Sequence, residues 1–157
     1  MVYQNLDRTY DAGLALHDSA SAVTADALCT VGGSASAGII DVGAVDFCGD
    51  VVFDVSAIDN ASTDEGYALQ ILGSNSSSFA SGVVLLDAKL LGSTNATTGI
   101  GAGTGGLDTA KSTGRHILTF RNRIGATVYR YVRCNVNVSG TTPSITFTAF
   151  VAPTMGK

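Results

Sequence analysis

Gly101, Gly103 and Gly106, within the run Gly99-Ile100-Gly101-Ala102-Gly103-Thr104-Gly105-Gly106, have the glycine spacing that lets a backbone approach a pyrophosphate. That chemistry needs the motif to leave a strand and open a helix, so that the helix N-terminus meets the phosphates. Here Thr98 and Gly99 precede it and no helical period follows. Residues 92–114 therefore read as a long, flexible, Gly-rich loop, a type of segment that lies on the surface and often carries contacts. His17 and His116 are the only histidines, far apart in the chain and without metal-ligand spacing, and His116 sits in a strand pattern beside Arg115, where it reads as a structural or surface residue rather than a general base. No Ser lies in a GxSxG turn and no Cys has a histidine close in sequence, so no nucleophile is supplied with a base. Asp59-Asn60-Ala61-Ser62-Thr63-Asp64-Glu65-Gly66 gathers oxygens that could suit calcium, but it departs from the EF-hand loop at Ala61 and reads as an acidic turn. Four Asn-x-Ser/Thr sequons begin at Asn60, Asn75, Asn95 and Asn137, and a Ser/Thr-rich surface accounts for them. The expectation is a protein that is not an enzyme and uses no cofactor and no metal.

The elements that carry these residues are written in two-residue alternation. From Thr127 to Ser139, Val128, Val132, Cys134, Val136 and Val138 fall on one face, while Tyr129, Tyr131, Arg133, Asn135 and Asn137 fall on the other, a pattern that a 3.6-residue period cannot produce. Arg130 is the exception on the apolar face, which places it at a rim or against an acid. The same grammar predicts strands at Ile39–Val42, Val51–Ile58, Tyr67–Leu72, Val83–Leu91, Arg115–Phe120 and Ser144–Val151, with a short eighth strand at Leu28–Val31. Gly32-Gly33, Asp59-Asn60, Gly73-Ser74-Asn75 and Ser139-Gly140 punctuate them as turns. Val51, Phe53 and Val55, like Ile145, Phe147, Ala149 and Val151, belong to the core, because a one-residue slip would expose every one of them. Residues 1–26 are small and polar with few large apolar groups, and they read as an extended arm ahead of a domain at residues 27–157.

Composition agrees with this pattern. A chain of 157 residues fits a single domain with a real core, and 45% hydrophobic residues, 14% charged residues and 19 glycines describe an all-β domain rich in turns. Cys29, Cys48 and Cys134 are odd in number and lack CxxC spacing, so they read as buried free thiols. The opening residues lack a signal-peptide pattern and no apolar run reaches membrane length, so the expectation is a protein made in the cytoplasm with no membrane partner. Charge is divided unevenly: residues 1–78 carry −10 and residues 79–157 carry +6, for a net charge of −4. Early strands lying beside late ones would pair these charges internally, and that reading is preferred over charge-directed assembly. A sequence pI of about 4.8 and the lack of an aromatic-basic platform argue against nucleic acid. The remaining features suit interfaces: Tyr129, Tyr131 and Arg133 opposite the core, and Tyr3, Leu6 and Tyr10 on the arm.

With these residues in view, the chain resembles the jelly-roll cement, or decoration, proteins that coat the capsids of some tailed bacteriophages. The resemblance is carried by Val23-Thr24-Ala25-Asp26, Ile39-Ile40-Asp41-Val42-Gly43, Tyr67-Ala68-Leu69-Gln70-Ile71-Leu72-Gly73-Ser74, Tyr129-Arg130-Tyr131-Val132-Arg133 and Thr146-Phe147-Thr148-Ala149-Phe150-Val151, and it spans about Asp18 to Pro153. It implies an antiparallel two-sheet jelly-roll sandwich of about eight strands. It also implies a non-enzymatic virion protein on the outer capsid surface that bridges major capsid protein subunits as a homo-oligomer, dimer or trimer. The alternative is a jelly-roll module of a virion fibre that binds carbohydrate or a host surface. The absence of Trp counts against that alternative, because sugar sites favour an exposed aromatic platform.

Overall fold

The computed structural model describes residues 12–32, 36–92 and 113–153. The protein is all-β with antiparallel sheets, and a single 3-10 turn at Ala12–Leu14 is the one helical element among the described residues. In chain order the strands are β1 (Ala15–His17), β2 (Ala27–Leu28), β3 (Thr30–Val31), β4 (Ser36–Ala37), β5 (Ile39–Asp41), β6 (Cys48–Ile58), β7 (Gly66–Ser74), β8 (Val84–Gly92), β9 (Gly114–Arg121), β10 (Arg123–Ile124), β11 (Thr127–Val128), β12 (Tyr131–Ser139) and β13 (Ile145–Pro153). One sheet has the order β1-β13-β6-β9; the other runs β2-β12-β7-β8, with β5 also pairing with β12. β3 with β4 and β10 with β11 form two small ladders.

These pairings are nested. β1 pairs with β13, β2 and β5 with β12, β6 with β9, and β7 with β8, all antiparallel, so the first half of the chain lies against the second half in reverse order. Alternation then sends one set of side chains from each sheet into a common core. Val51, Phe53 and Val55 of β6, Tyr67, Leu69 and Ile71 of β7, Val132, Cys134 and Val136 of β12, and Ile145, Phe147 and Ala149 of β13 belong to a single buried cluster. Each large aliphatic or aromatic side chain in it contributes about 1.5–3 kcal/mol on burial. The inward registers of β6, β12 and β13 are the ones their alternation predicts.

The N-terminal boundary differs from the expected one. Ala15, Leu16 and His17, anticipated as part of an extended arm through residue 26, form an edge strand on β13 with all three residues buried, and Leu16 joins the core. Val23 then exchanges backbone hydrogen bonds of 2.8 and 3.1 Å with Ile145. Three residues are too few to show a period, and their partner lies more than a hundred positions away. Cys29 and Cys134 are buried as expected, whereas Cys48 is exposed at the start of β6. The glycine-rich stretch lies outside the described residues except at its ends, where Gly92 closes β8 and Gly114 opens β9.

The strand expected across Thr127–Ser139 is broken at Tyr129 and Arg130, and two asparagines hold the break. Asn122, fully buried, accepts the Phe47 N–H at 2.7 Å through Oδ1 and donates through Nδ2 to the carbonyls of Val45 and Tyr129, each at 3.0 Å. Asn75 accepts the Arg130 N–H at 3.0 Å and donates to the Val128 carbonyl at 3.0 Å. Side-chain amides thus replace a missing ladder, so the chain leaves the small β10–β11 ladder and enters the five-stranded sheet as β12 without orphaning its backbone. At another corner the Tyr67 hydroxyl donates to the Asp59 carbonyl at 2.6 Å and accepts the Ser144 N–H at 2.9 Å. Gly92 and Gly140, both at positive φ, pack so closely on the backbone of Asp64 and Glu65 that a Cβ has no room there.

Part of the uneven charge is paired inside the molecule. Asp54 meets Arg115 at 2.7 Å, Asp46 meets Arg121 and also Arg123 at 3.3 Å, and Asp41 meets Arg130 at 2.7 Å. Every acid in these pairs comes from the early part of the chain and every base from the late part. Arg130 lies at the rim against an acid, as its misplaced parity requires. Its hydrogen bonds hold the Asp41 carboxyl below its ordinary range, and Asp41 in turn pushes the guanidinium up.

Two outcomes test this reading. Asn122→Ala strands one N–H and two carbonyls in a buried corner, so it should lower stability by about 3 kcal/mol in urea unfolding. His17 packs on Phe147 at 4.5 Å, accepts the Thr30 N–H at 3.3 Å through Nδ1, and has no partner for Nε2 among the described residues. Burial depresses its affinity for a proton below the ordinary value of 6.5, against the opposing charge of Asp18. The unfolded chain therefore takes up the proton first, so stability is complete above about pH 7 and falls as pH drops through 6. His17→Phe should flatten that decline in denaturation midpoints measured from pH 7.5 to 5.

Candidate docking surface

The outer side of the five-stranded sheet is laid out by register. Ile39, Arg133 and Leu72 stand opposite one another, and Leu85 continues the row on β8. The next row is Leu28, Asn135, Gln70 and Ala88, followed by Asn137, Ala68 and Leu90. Residues opposite one another on a sheet face stand about 4.5–5.5 Å apart at Cβ, so the rows form a continuous surface. Leu28 is 53% exposed and Leu85 is 43% exposed, and Val83, just before β8, is 45% exposed. Between them Asn135 donates through Nδ2 to Gln70 Oε1 and Asn137 Oδ1, each at 2.7 Å. The result is an amide row set among aliphatic side chains.

Arg133 stands within this face and differs from the other described arginines. Arg115, Arg121, Arg123 and Arg130 are exposed and each meets an aspartate, whereas Arg133 retains 6% of its surface and meets none among the described residues. Its Nε is sealed from solvent without an acceptor. Burial lowers its affinity for a proton, with the thiols of Cys29 and Cys134 acting in the opposite sense. Asp41 stands opposite Tyr131, two positions along β12 from Arg133, and Arg130 engages both of its oxygens. The covering group is Phe79, whose ring centroid lies 5.2 Å from the Arg133 guanidinium carbon. Phe79 has φ of 54°, a left-handed conformation that costs a bulky residue about 1–3 kcal/mol, and its N–H donates to the Ser76 carbonyl at 3.0 Å. The loop between β7 and β8 is thus bent to bring an aromatic ring over a cation, an attraction of about 0.5–2 kcal/mol that leaves the charge without a counter-ion.

Three residues anticipated on one face are divided. Tyr131 and Arg133 project outward; Arg130 lies over the Tyr131 ring at 5.3 Å. Tyr129 does not join them: its Cβ abuts Gly73, on the side of the sheet that carries Val132, and its ring lines a shallow groove with Asn75, Ser76, Ser81 and Val83. The asparagine clamps that break the strand also cancel its two-residue parity. Tyr3, Leu6 and Tyr10 lie outside the described residues. Phe79, Leu72, Leu85 and Gln70 belong to the surface without having been singled out beforehand. Gln70 was visible as a polar residue at outward parity, whereas Phe79 had no signal beyond being a large aromatic in a serine-rich turn.

Among the described residues no group of three or more His, Cys, Asp or Glu is placed to hold a metal ion, and no helix is long and apolar enough to cross a membrane. Comparison with known families, characterised proteins and solved structures finds no match to this chain.

The arginine contrast predicts opposite stability effects. Arg133→Met keeps the length of the side chain and removes an unpaired buried charge, so it should raise stability by about 1 kcal/mol in urea unfolding. Arg130→Met, made at an exposed pair, should leave the midpoint unchanged or slightly lower.

Proposed function

We propose that the chain is a jelly-roll sandwich that works as a structural coat protein, a cement or decoration protein on the outer surface of a tailed-phage capsid. In this reading it bridges major capsid protein subunits as a homo-oligomer and performs no reaction. The nested pairing supports the jelly-roll assignment. Counting β2 and β5 as one split strand and setting aside the small ladders, eight strands pair first with eighth, second with seventh, third with sixth and fourth with fifth. A long hairpin rolled up in that order gives the two interleaved Greek keys of a jelly roll.

The observation that carries the functional reading is the outer face of the five-stranded sheet. It combines exposed aliphatic residues, an amide row and a buried arginine in the way that protein interfaces combine apolar anchors with a few oriented polar groups. An interface of ordinary size, about 1,600 Å², contributes modestly once the cost of association is subtracted. A protein that grips two or more subunits of a lattice makes the later contacts intramolecular, and many modest contacts together then resist opening of the shell.

Mixing the purified protein with undecorated capsid shells should give saturable, stoichiometric binding in co-sedimentation. Leu85→Lys, on the proposed face, should weaken it at least about tenfold, a loss of one buried anchor. Ile117→Lys, on the outer side of the other sheet, should not. Equal binding by the Leu85→Lys protein would exclude this face, and specific binding on a glycan array with no shell binding would favour the carbohydrate reading.

A further inference from the structure

We infer that Arg133 is the anchor of a carboxylate-binding notch, and that its occupant is an acidic protein segment, a Glu or Asp side chain flanked by apolar residues, laid across the outer face of the five-stranded sheet. This inference rests on the reading of that face as the docking surface.

The argument begins with charge. Four of the five described arginines are matched by aspartates, and Asp41, opposite Tyr131 on the neighbouring strand, is taken by Arg130. Arg133 alone is left both buried and unmatched. An uncompensated cation in a dehydrated setting is unfavourable in the isolated protein, and an arriving carboxylate removes that penalty at the moment of binding. Geometry then selects the kind of anion. Phe79 lies against the guanidinium, so the accessible approach is along the edge of the fork, where a planar carboxylate accepts two parallel N–H bonds. Nε is sealed from solvent, so the inferred carboxylate would be received at the Nη end.

The surroundings select the source. Ile39, Leu72 and Leu85 share the row with Arg133, and such walls favour a carboxylate presented between apolar side chains over a free, fully hydrated anion. The Asn135, Gln70 and Asn137 amides in the adjoining rows offer donors and acceptors to the backbone of an extended segment. The strained Phe79 completes the case. A left-handed phenylalanine persists only where the surrounding structure holds it, and here it holds the ring that shapes the notch.

The test follows the Arg133 Nε–Hε resonance of the full-length protein in nitrogen-edited NMR during titration with acetyl-Leu-Glu-Leu-amide, its Gln counterpart, and inorganic phosphate. The Glu peptide should shift the resonance saturably and bind at least about tenfold tighter than the Gln peptide, the difference expected for a charge-assisted pair. Arg133→Met should remain folded by circular dichroism, with an unfolding midpoint no lower than the parent, yet lose the preference for Glu. Arg130→Met should keep it. Equal binding of the two peptides, no shift with either, an unchanged preference in Arg133→Met, or a response to phosphate as strong as that to the Glu peptide would each overturn the inference. Capsid shells separate it from the broader proposal. Shell binding that survives Arg133→Met removes the notch and leaves the cement reading standing. Glu-selective binding by a protein that ignores shells removes the cement reading and leaves the notch.

Discussion

Nested antiparallel pairing is the constraint from which the rest of this structure follows. Because β1 meets β13, β12 receives β2 and β5, and β6 and β7 meet β9 and β8, every contact between halves of the chain joins an early residue to a late one. The uneven charge is then no anomaly. Acids gathered in the first half and bases in the second are delivered to each other by topology, as Asp54 to Arg115 and Asp41 to Arg130 illustrate. Exposed pairs of this kind contribute little to stability. Their consequence is chiefly negative: once satisfied internally, these charges are not available to recruit a partner, and Arg133 stands out by contrast.

Where the chain passes from one sheet to the next the ladder stops, and the chain answers with buried polar side chains. Asn122, Asn75 and Tyr67 each hold backbone groups that a ladder would otherwise have paired. Such groups are worth modest amounts when satisfied and are costly when half satisfied, so a corner built on them has one acceptable geometry. That is why the break at Tyr129 and Arg130 is definite. It is also why the residues beyond it, Tyr131 and Arg133, face reliably outward.

Periodicity made the long strands legible. Val51 through Val55, Val132 through Val138 and Ile145 through Val151 reveal their inward faces because each spans several alternations with β-branched or aromatic residues at the buried positions. β1 was illegible for the opposite reason: a three-residue strand has no period, and Leu16 gains its place only from β13, far along the chain. The division of Tyr129 from Tyr131 was hidden because alternation assumes a continuous ladder, whereas the Asn122 and Asn75 clamps depend on side chains some seven and fifty positions away. Of the candidate surface, Tyr131 and Arg133 could be placed from parity alone. Phe79 could not, since its position depends on a left-handed turn that no composition rule assigns to phenylalanine.

The two sheets therefore offer outer faces of different character. On the four-stranded sheet, Asp54 with Arg115 and Thr119 with Asp50 form cross-strand pairs, while Val52, Phe150 and Ala152 form a small buried cluster among them. Polar groups there already have partners within the sheet. On the five-stranded sheet the exposed Leu85 shares a row with an arginine that the fold has dehydrated without pairing, and the exposed Leu28 stands in the adjoining row. A partner approaching the first face would have to break existing bonds before making new ones. One approaching the second would find apolar area to bury and a cation that becomes more stable on contact, and that asymmetry is the physical basis for proposing the five-stranded face as the side that binds.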